Sequence, residues 1–245
     1  MLLVLLVQYY PLLNGNRLPV NPRVGGRWKS YRRFVPTLGS GKASPANSTS
    51  RFGYLLPILL STMNYRYLSS NDETRSLWPH DFFLEMAVVV GPSLELELTA
   101  SNADREPFLY EDCLHTYFAI GDVAKTSVSG LDGTGYIDRA RSDARSVQKG
   151  PVTPADETVN IYMNAPSRTE IADTAGGRKI LVDQCGFKST VVWNPWEATA
   201  AKNPEMIDRW RGFICVEGAN CLDANVVLLP GTSHRSYVKY TAEKI

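Results

Sequence analysis

The first 71 residues contain no aspartate and no glutamate, although the chain of 245 residues carries 25 acids. Nine of the 26 lysines and arginines fall in that stretch, so the remainder holds 17 basic against 25 acidic residues. The overall charge of +1 therefore hides a basic arm and an acidic body. No recognisable nucleic-acid motif accompanies the basic residues of 17–33, so a nucleic-acid partner is not expected. Cysteine is scarce. Cys113, Cys185, Cys215 and Cys221 form no Cys-x-x-Cys pair, which argues against a zinc finger and against a dense disulfide framework. All four lie in or beside apolar runs, so reduced buried thiols and a cytoplasmic setting are expected. No apolar run reaches bilayer length. The longest opening run, Met1–Val7, is too short to span and lacks the flanks of a secretory signal, so no membrane partner is expected. No long amphipathic helix, internal repeat or low-complexity block occurs after residue 71.

What is present reads as strand. In Leu84–Val90, positions 84, 86, 88 and 90 are apolar, and after a Gly91-Pro92 turn Ser93–Thr99 alternates strictly. This predicts a hairpin with one buried and one wet face. Further strand-like runs fall at about 107–120, 124–129, 159–164, 168–173, 178–183, 188–193, 212–217, 225–229 and 234–241. Residues 197–211 have room for one short turn of helix. Many short strands without alternating helices predict an all-β, antiparallel sandwich. With 44% hydrophobic residues the chain can fill its core. Residues 71–245 form the expected sandwich domain. Residues 1–70 are expected to be irregular, with 14–53 as loop and Tyr54–Leu60 an apolar run of ambiguous type.

Two polar residues stand out inside apolar strands. His115 lies within Asp112-Cys113-Leu114-His115-Thr116-Tyr117-Phe118, and Glu217 ends Gly212-Phe213-Ile214-Cys215-Val216-Glu217. Alone, such a histidine is more often a satisfied core residue, and such a glutamate a solvated strand end. Together, an imidazole and a carboxylate in apolar surroundings are the parts of paired acid–base chemistry near neutral pH. His80, after Trp78-Pro79, is expected to support a loop or the sheet edge, and His234 to lie on the surface.

The motifs Leu114-His115-Thr116-Tyr117-Phe118, Gly121-Asp122, Val128-Ser129-Gly130-Leu131 and Tyr136-Ile137-Asp138 resemble the glucose-6-phosphate 1-epimerase branch of the aldose 1-epimerases. So do Ser189-Thr190-Val191-Val192-Trp193-Asn194-Pro195-Trp196, Cys215-Val216-Glu217 and Val227-Leu228-Leu229-Pro230-Gly231. Asn71-Asp72-Glu73-Thr74-Arg75 and Trp78-Pro79-His80 precede them in the expected order. The resemblance covers about residues 71–242. It implies a large antiparallel β-sandwich of the galactose-mutarotase type and interconversion of the α and β anomers of a hexose 6-phosphate. It implies Glu217 as base on the anomeric hydroxyl and His115 as acid at the ring oxygen. Trp193 and Asn194 become candidate substrate contacts. No metal and no cofactor are implied, and the expected partner is a sugar phosphate bound by a monomer.

The resemblance stops short of the first third. The family's His-Gly-Phe-Ala-Arg, Arg-Gly-Gly and Phe-Pro-x-Phe-Gly motifs are not legible, Val24-Gly25-Gly26-Arg27 being a faint echo. A family aspartate falls on Val159. Residues 1–70 are open to three readings: a divergent segment, an organellar transit arm, or a wrong-frame translation. An alternative function is a non-catalytic carbohydrate-binding or structural remnant of the same fold.

Overall fold

The computed structural model describes residues 3–13, 16–17, 62–204 and 206–245. The echo at Val24–Arg27, the run Tyr54–Leu60 and nearly all of the expected loop 14–53 lie outside the described residues. In chain order the strands are β1 (Leu3–Leu13), β2 (Asn16–Arg17), β3 (Thr62–Ser69), β4 (Phe82–Val90), β5 (Leu94–Asn102) and β6 (Phe108–Ala119). Then come β7 (Thr126–Ser129), β8 (Gly135–Asp138), β9 (Ala144–Val147), β10 (Thr158–Met163) and β11 (Arg168–Asp173). The last are β12 (Arg178–Cys185), β13 (Ser189–Asn194), β14 (Phe213–Asn220), β15 (Val226–Leu228) and β16 (Ser233–Lys244). Helix is confined to α1 (Asp72–Leu77), α2 (Trp196–Ala200) and single 3-10 turns such as Trp210–Gly212.

Two antiparallel sheets result. One runs β2-β1-β6-β14-β13-β10-β8-β9, with β15 added against β6; the other runs β3-β4-β5-β16-β12-β11-β7. The expected hairpin is β4–β5, with Val90 opposite Leu94. The sheets pack through alternate residues. Leu114 and Phe118 of β6, Ile214 and Val216 of β14, and Val192 of β13 share a buried cluster with Leu96, Ile180 and Val238 of the opposing sheet. Burying such a side chain contributes about 1.5–3 kcal/mol relative to exposure. Because side chains alternate along a strand, His115, Tyr117, Cys215, Glu217 and Trp193 lie on the other face of the first sheet, turned away from the second.

Three expectations need correction. Residues 1–70 are not irregular throughout. β1 pairs along β6 from Leu3–Phe118 to Pro11–Tyr110, and β3 pairs along β4 from Thr62 to Ser69. An aliphatic run too short for a bilayer has the length of a strand, and β6 has an edge to receive it. Cys185 is exposed; Cys113, Cys215 and Cys221 are buried, and none of the four is in a disulfide among the described residues. His234 is half-buried, with Nδ1 3.0 Å from the Tyr110 hydroxyl. His80 does support a loop, its Nδ1 lying 2.9 Å from Asp104 Oδ2 and its ring edge-on to Trp78. No helix among the described residues is long and apolar enough to cross a membrane.

The turn that leads from β12 to β13 depends on one residue. Gly186 has φ +79°, and a β-carbon there would overlap the carbonyl oxygen of Arg235 in β16. Gly186→Ala combines a left-handed backbone with a backbone clash. A loss of about 2–4 kcal/mol is expected in urea denaturation. A loss under about 0.5 kcal/mol would show that the turn yields freely.

Candidate active site

β6 and β14 are neighbours in the middle of the first sheet. Their paired positions run from Ala119–Phe213 to Tyr117–Cys215 and resume, in the same register, at Cys113–Ala219. That register sets His115 directly across from Glu217, on one face. His115 Nδ1 lies 3.2 Å from Glu217 Oε1, with side-chain exposures of 15% and 3%. Neither of these two atoms has a hydrogen-bond partner, because the pair is close but out of hydrogen-bond alignment. The other carboxylate oxygen is held: the Cys113 thiol donates to Glu217 Oε2 at 2.8 Å. Oε1 is thus the oxygen turned towards the imidazole.

Burial governs the electrostatics. It pushes the Glu217 carboxyl from 4.5 up to about 8, only partly opposed by the Cys113 hydrogen bond. It draws the His115 imidazole from 6.5 down to about 4. Desolvation disfavours each charged form, so at neutral pH the Glu217 carboxyl keeps its proton and the His115 imidazole is neutral. A carboxyl–imidazole pair holding one mobile proton can give it to one oxygen and take one from another.

Aromatic rings frame the imidazole. Tyr117 stacks on His115 at 4.7 Å and 12°, and Trp193 meets it edge-on at 5.3 Å and 83°. Phe213 closes against both Tyr117 and Trp193. Trp193 keeps a partly exposed side chain on the same face as the pair. Such a face suits the apolar C–H surface of a pyranose.

Asn194 has a different part from the one expected. Its side chain is fully buried. Its Nδ2 donates to the carbonyls of Trp210 and Phe213 at 2.8 Å each, and its Oδ1 accepts from the backbone N–H of Trp196. With both amide protons used and no surface, it has nothing to offer a sugar. It instead pins the 3-10 turn and the start of β14, and so fixes where Glu217 stands. Val159 lies opposite Trp193 on the site face, an apolar residue where the family resemblance expects an aspartate. Of the nearby acids, Asp156 pairs with Arg141 and Glu157 accepts from Thr199.

Sequence reasoning missed Cys113 and Cys215. Both stand two residues before a candidate, at 113 before 115 and 215 before 217, and strand alternation alone puts each on its candidate's face. His115, Cys215 and Glu217 each offer one potential metal-ligand atom, all within 4.8 Å of one another. A separate cleft lined by Ile137, Arg139, Asp143, Arg145, Leu222 and Asp223 contains neither His115 nor Glu217. Ile137 is reached from Glu217 by stepping across Val191 and Ile161. Three steps of about 4.8 Å put it roughly 14 Å away. Leu222, another lining residue, packs against the cluster of Cys113, Ile161, Ala219 and Cys221, so the cleft approaches the pair from that side.

The aldose 1-epimerase family pattern matches residues 61–241. A Cenchrus ciliaris protein named "Putative glucose-6-phosphate 1-epimerase" is 31% identical over 177 residues, covering 70% of this chain and 54% of that protein. A protein of the same name from Escherichia coli K12 is 34% identical over 169 residues, covering 68% and 56%. The chain thus spans about half the length of these curated relatives. The crystal structure of a "putative mutarotase" from Salmonella typhimurium has 31% identity and a TM-score of 0.69, covering 76% of this chain and 61% of that one. A match over most of the chain, with the same two-sheet architecture, settles its kinship: this chain belongs to the aldose 1-epimerase family.

Proposed function

We propose that the chain interconverts the α and β anomers of a hexose 6-phosphate, glucose 6-phosphate above all, at the His115–Glu217 pair. The observation that carries the reading is the 3.2 Å approach of Nδ1 and Oε1, both without other partners and both on the face framed by aromatic rings. One group removes the proton of the anomeric hydroxyl while the other protonates the ring oxygen. The bond from C1 to the ring oxygen breaks, an aldehyde forms, rotation about C1–C2 exchanges its faces, and the steps reverse. The family resemblance makes Glu217 the base and His115 the acid, which requires the pair's proton to stand on the imidazole; with the proton on the carboxyl, as burial favours, the roles exchange and the same steps run. The pair begins and ends with one proton, so no net proton enters or leaves. Asn194 and Cys113 act on the geometry, not on the sugar. The names carried by the relatives support the phosphate on C6.

A second reading, a carbohydrate-binding remnant without turnover, is favoured by one observation: Val159 stands opposite Trp193 on the site face, where the family resemblance expects an aspartate. The experiment that separates the two is exchange-sensitive NMR on freshly dissolved α-glucose 6-phosphate, with α-glucose as comparison. The expected result is faster equilibration of the phosphate ester than of free glucose, abolished by Glu217→Gln. Sugar-dependent shifts without any rate above buffer would establish the remnant.

A further inference from the structure

We infer that His115, Cys215 and Glu217 form a binding site for a thiophilic divalent cation such as Zn²⁺, and that an ion bound there blocks the pair. The blocking half rests on the function proposed above; the binding half does not. The donors come from two adjacent strands of a central sheet, Cys215 and Glu217 at alternate positions of β14 and His115 across from Glu217 on β6. Their ligand atoms lie within 4.8 Å of one another. Bonds of about 2.0–2.3 Å in a tetrahedral shell separate neighbouring ligand atoms by roughly 3.3–3.6 Å. The observed Nδ1–Oε1 distance of 3.2 Å is already at that edge length.

A second observation points to a ligand. Glu217 is almost wholly buried, and its Oε1 faces the cluster with no hydrogen-bond partner, as does His115 Nδ1. Two desolvated acceptor positions facing one another cost free energy unless something bridges them. A proton bridges them in the catalytic cycle, and a metal ion would occupy the same gap. Cys113 keeps Oε2 engaged, so the carboxylate would bind through Oε1 alone. One nitrogen, one sulfur and one oxygen suit Zn²⁺ and disfavour Mg²⁺ and Ca²⁺, which take oxygen ligands. Three protein ligands leave a fourth position for water. Binding would displace the Cys215 thiol proton and the proton held by the pair into solvent. The ion would thereby occupy both atoms that the anomeric exchange uses, making it an inhibitor.

Cobalt(II) is the probe, added to chelator-treated protein. The expected result is one Co²⁺ per chain, with intense tetrahedral visible bands and a thiolate charge-transfer band in the near ultraviolet, all displaced by Zn²⁺. Cys215→Ala should remove the charge-transfer band; Cys185→Ala, which changes the exposed cysteine, should leave it unchanged. Zinc-edge X-ray absorption of the unmutated protein guards against misfolded variants: one sulfur at about 2.3 Å and lighter atoms at about 2.0–2.1 Å are expected. A shell with no sulfur, or a charge-transfer band that follows Cys185, would overturn the site. None of these readouts needs turnover, so they stand if the chain proves inactive. Where turnover is seen, stoichiometric Zn²⁺ should lower it at least tenfold and a chelator restore it. Full activity with the ion bound would overturn the blocking claim.

Discussion

Glu217→Gln is expected to abolish anomer exchange and, in the same protein, to raise thermal stability above neutral pH. The loss follows from removing a positioned proton-transfer group, typically a hundredfold or more in rate. The gain follows from linkage. The Glu217 carboxyl sits at about 8 in the folded chain against 4.5 for an ordinary glutamate. Between those values the unfolded chain releases a proton that the folded chain keeps, so folding stability falls as pH rises through the window. At about 1.36 kcal/mol per unit, this costs on the order of a few kcal/mol by pH 8. Glutamine keeps the shape, can accept from the Cys113 thiol, and does not titrate. His115 works in the opposite sense, since its lowered value makes stability rise with pH between about 4 and 6.5. That contribution is common to both proteins, so their difference isolates Glu217. Thermal denaturation at pH 5, 6.5 and 8 should show a melting-temperature gap that widens with pH. A gap that stays flat, or a variant less stable at pH 8, would show that Glu217 is not held protonated by burial.

The pH–rate profile should be a bell with limbs near 4 and near 8 in chelator-treated protein. Below the lower limb both members carry protons and no base remains; above the upper limb neither does and no acid remains. Outside each limb kcat/KM should fall about tenfold per pH unit. The values near 4 and near 8 belong to the protein without sugar, so kcat/KM is the quantity to follow, with the substrate's phosphate, which titrates near pH 6, adding its own inflection. His115→Ala should lower the rate by about a hundredfold and remove the lower limb. A single limb near 4.5 with a flat alkaline side would mean that the carboxylate acts alone and already ionised.

Most of the architecture could be read from the chain, for a physical reason. Strands with one face in the core alternate, and 84–90, 93–99 and 168–173 map onto β4, β5 and β11 within a few residues. β8 and β9 escaped notice because strands of four residues are too short to show a period; β9 is in addition an edge strand, with every residue of Ala144–Val147 exposed. β1 escaped because a run of leucines and valines was weighed as a membrane or export signal and not as a strand. The pairing of His115 with Glu217 came from resemblance. A separation of about a hundred residues says nothing about which strands become neighbours. Asn194 was misread because its motif marks it as important without saying for what; only its two backbone acceptors show that it holds a turn.

The register between β6 and β14 has a consequence for how this chemistry tolerates insertions and deletions. His115 and Glu217 meet because they share parity along two paired strands. One residue gained or lost between Cys215 and Glu217 would change no composition of note, yet would turn the carboxylate into the apolar layer beside Val216 and Ile214. Two residues would restore the face but shift it by roughly 7 Å along the strand, out of reach of the imidazole. Side-chain substitutions around the pair are graded in their effects, whereas length changes within these strands are all-or-none.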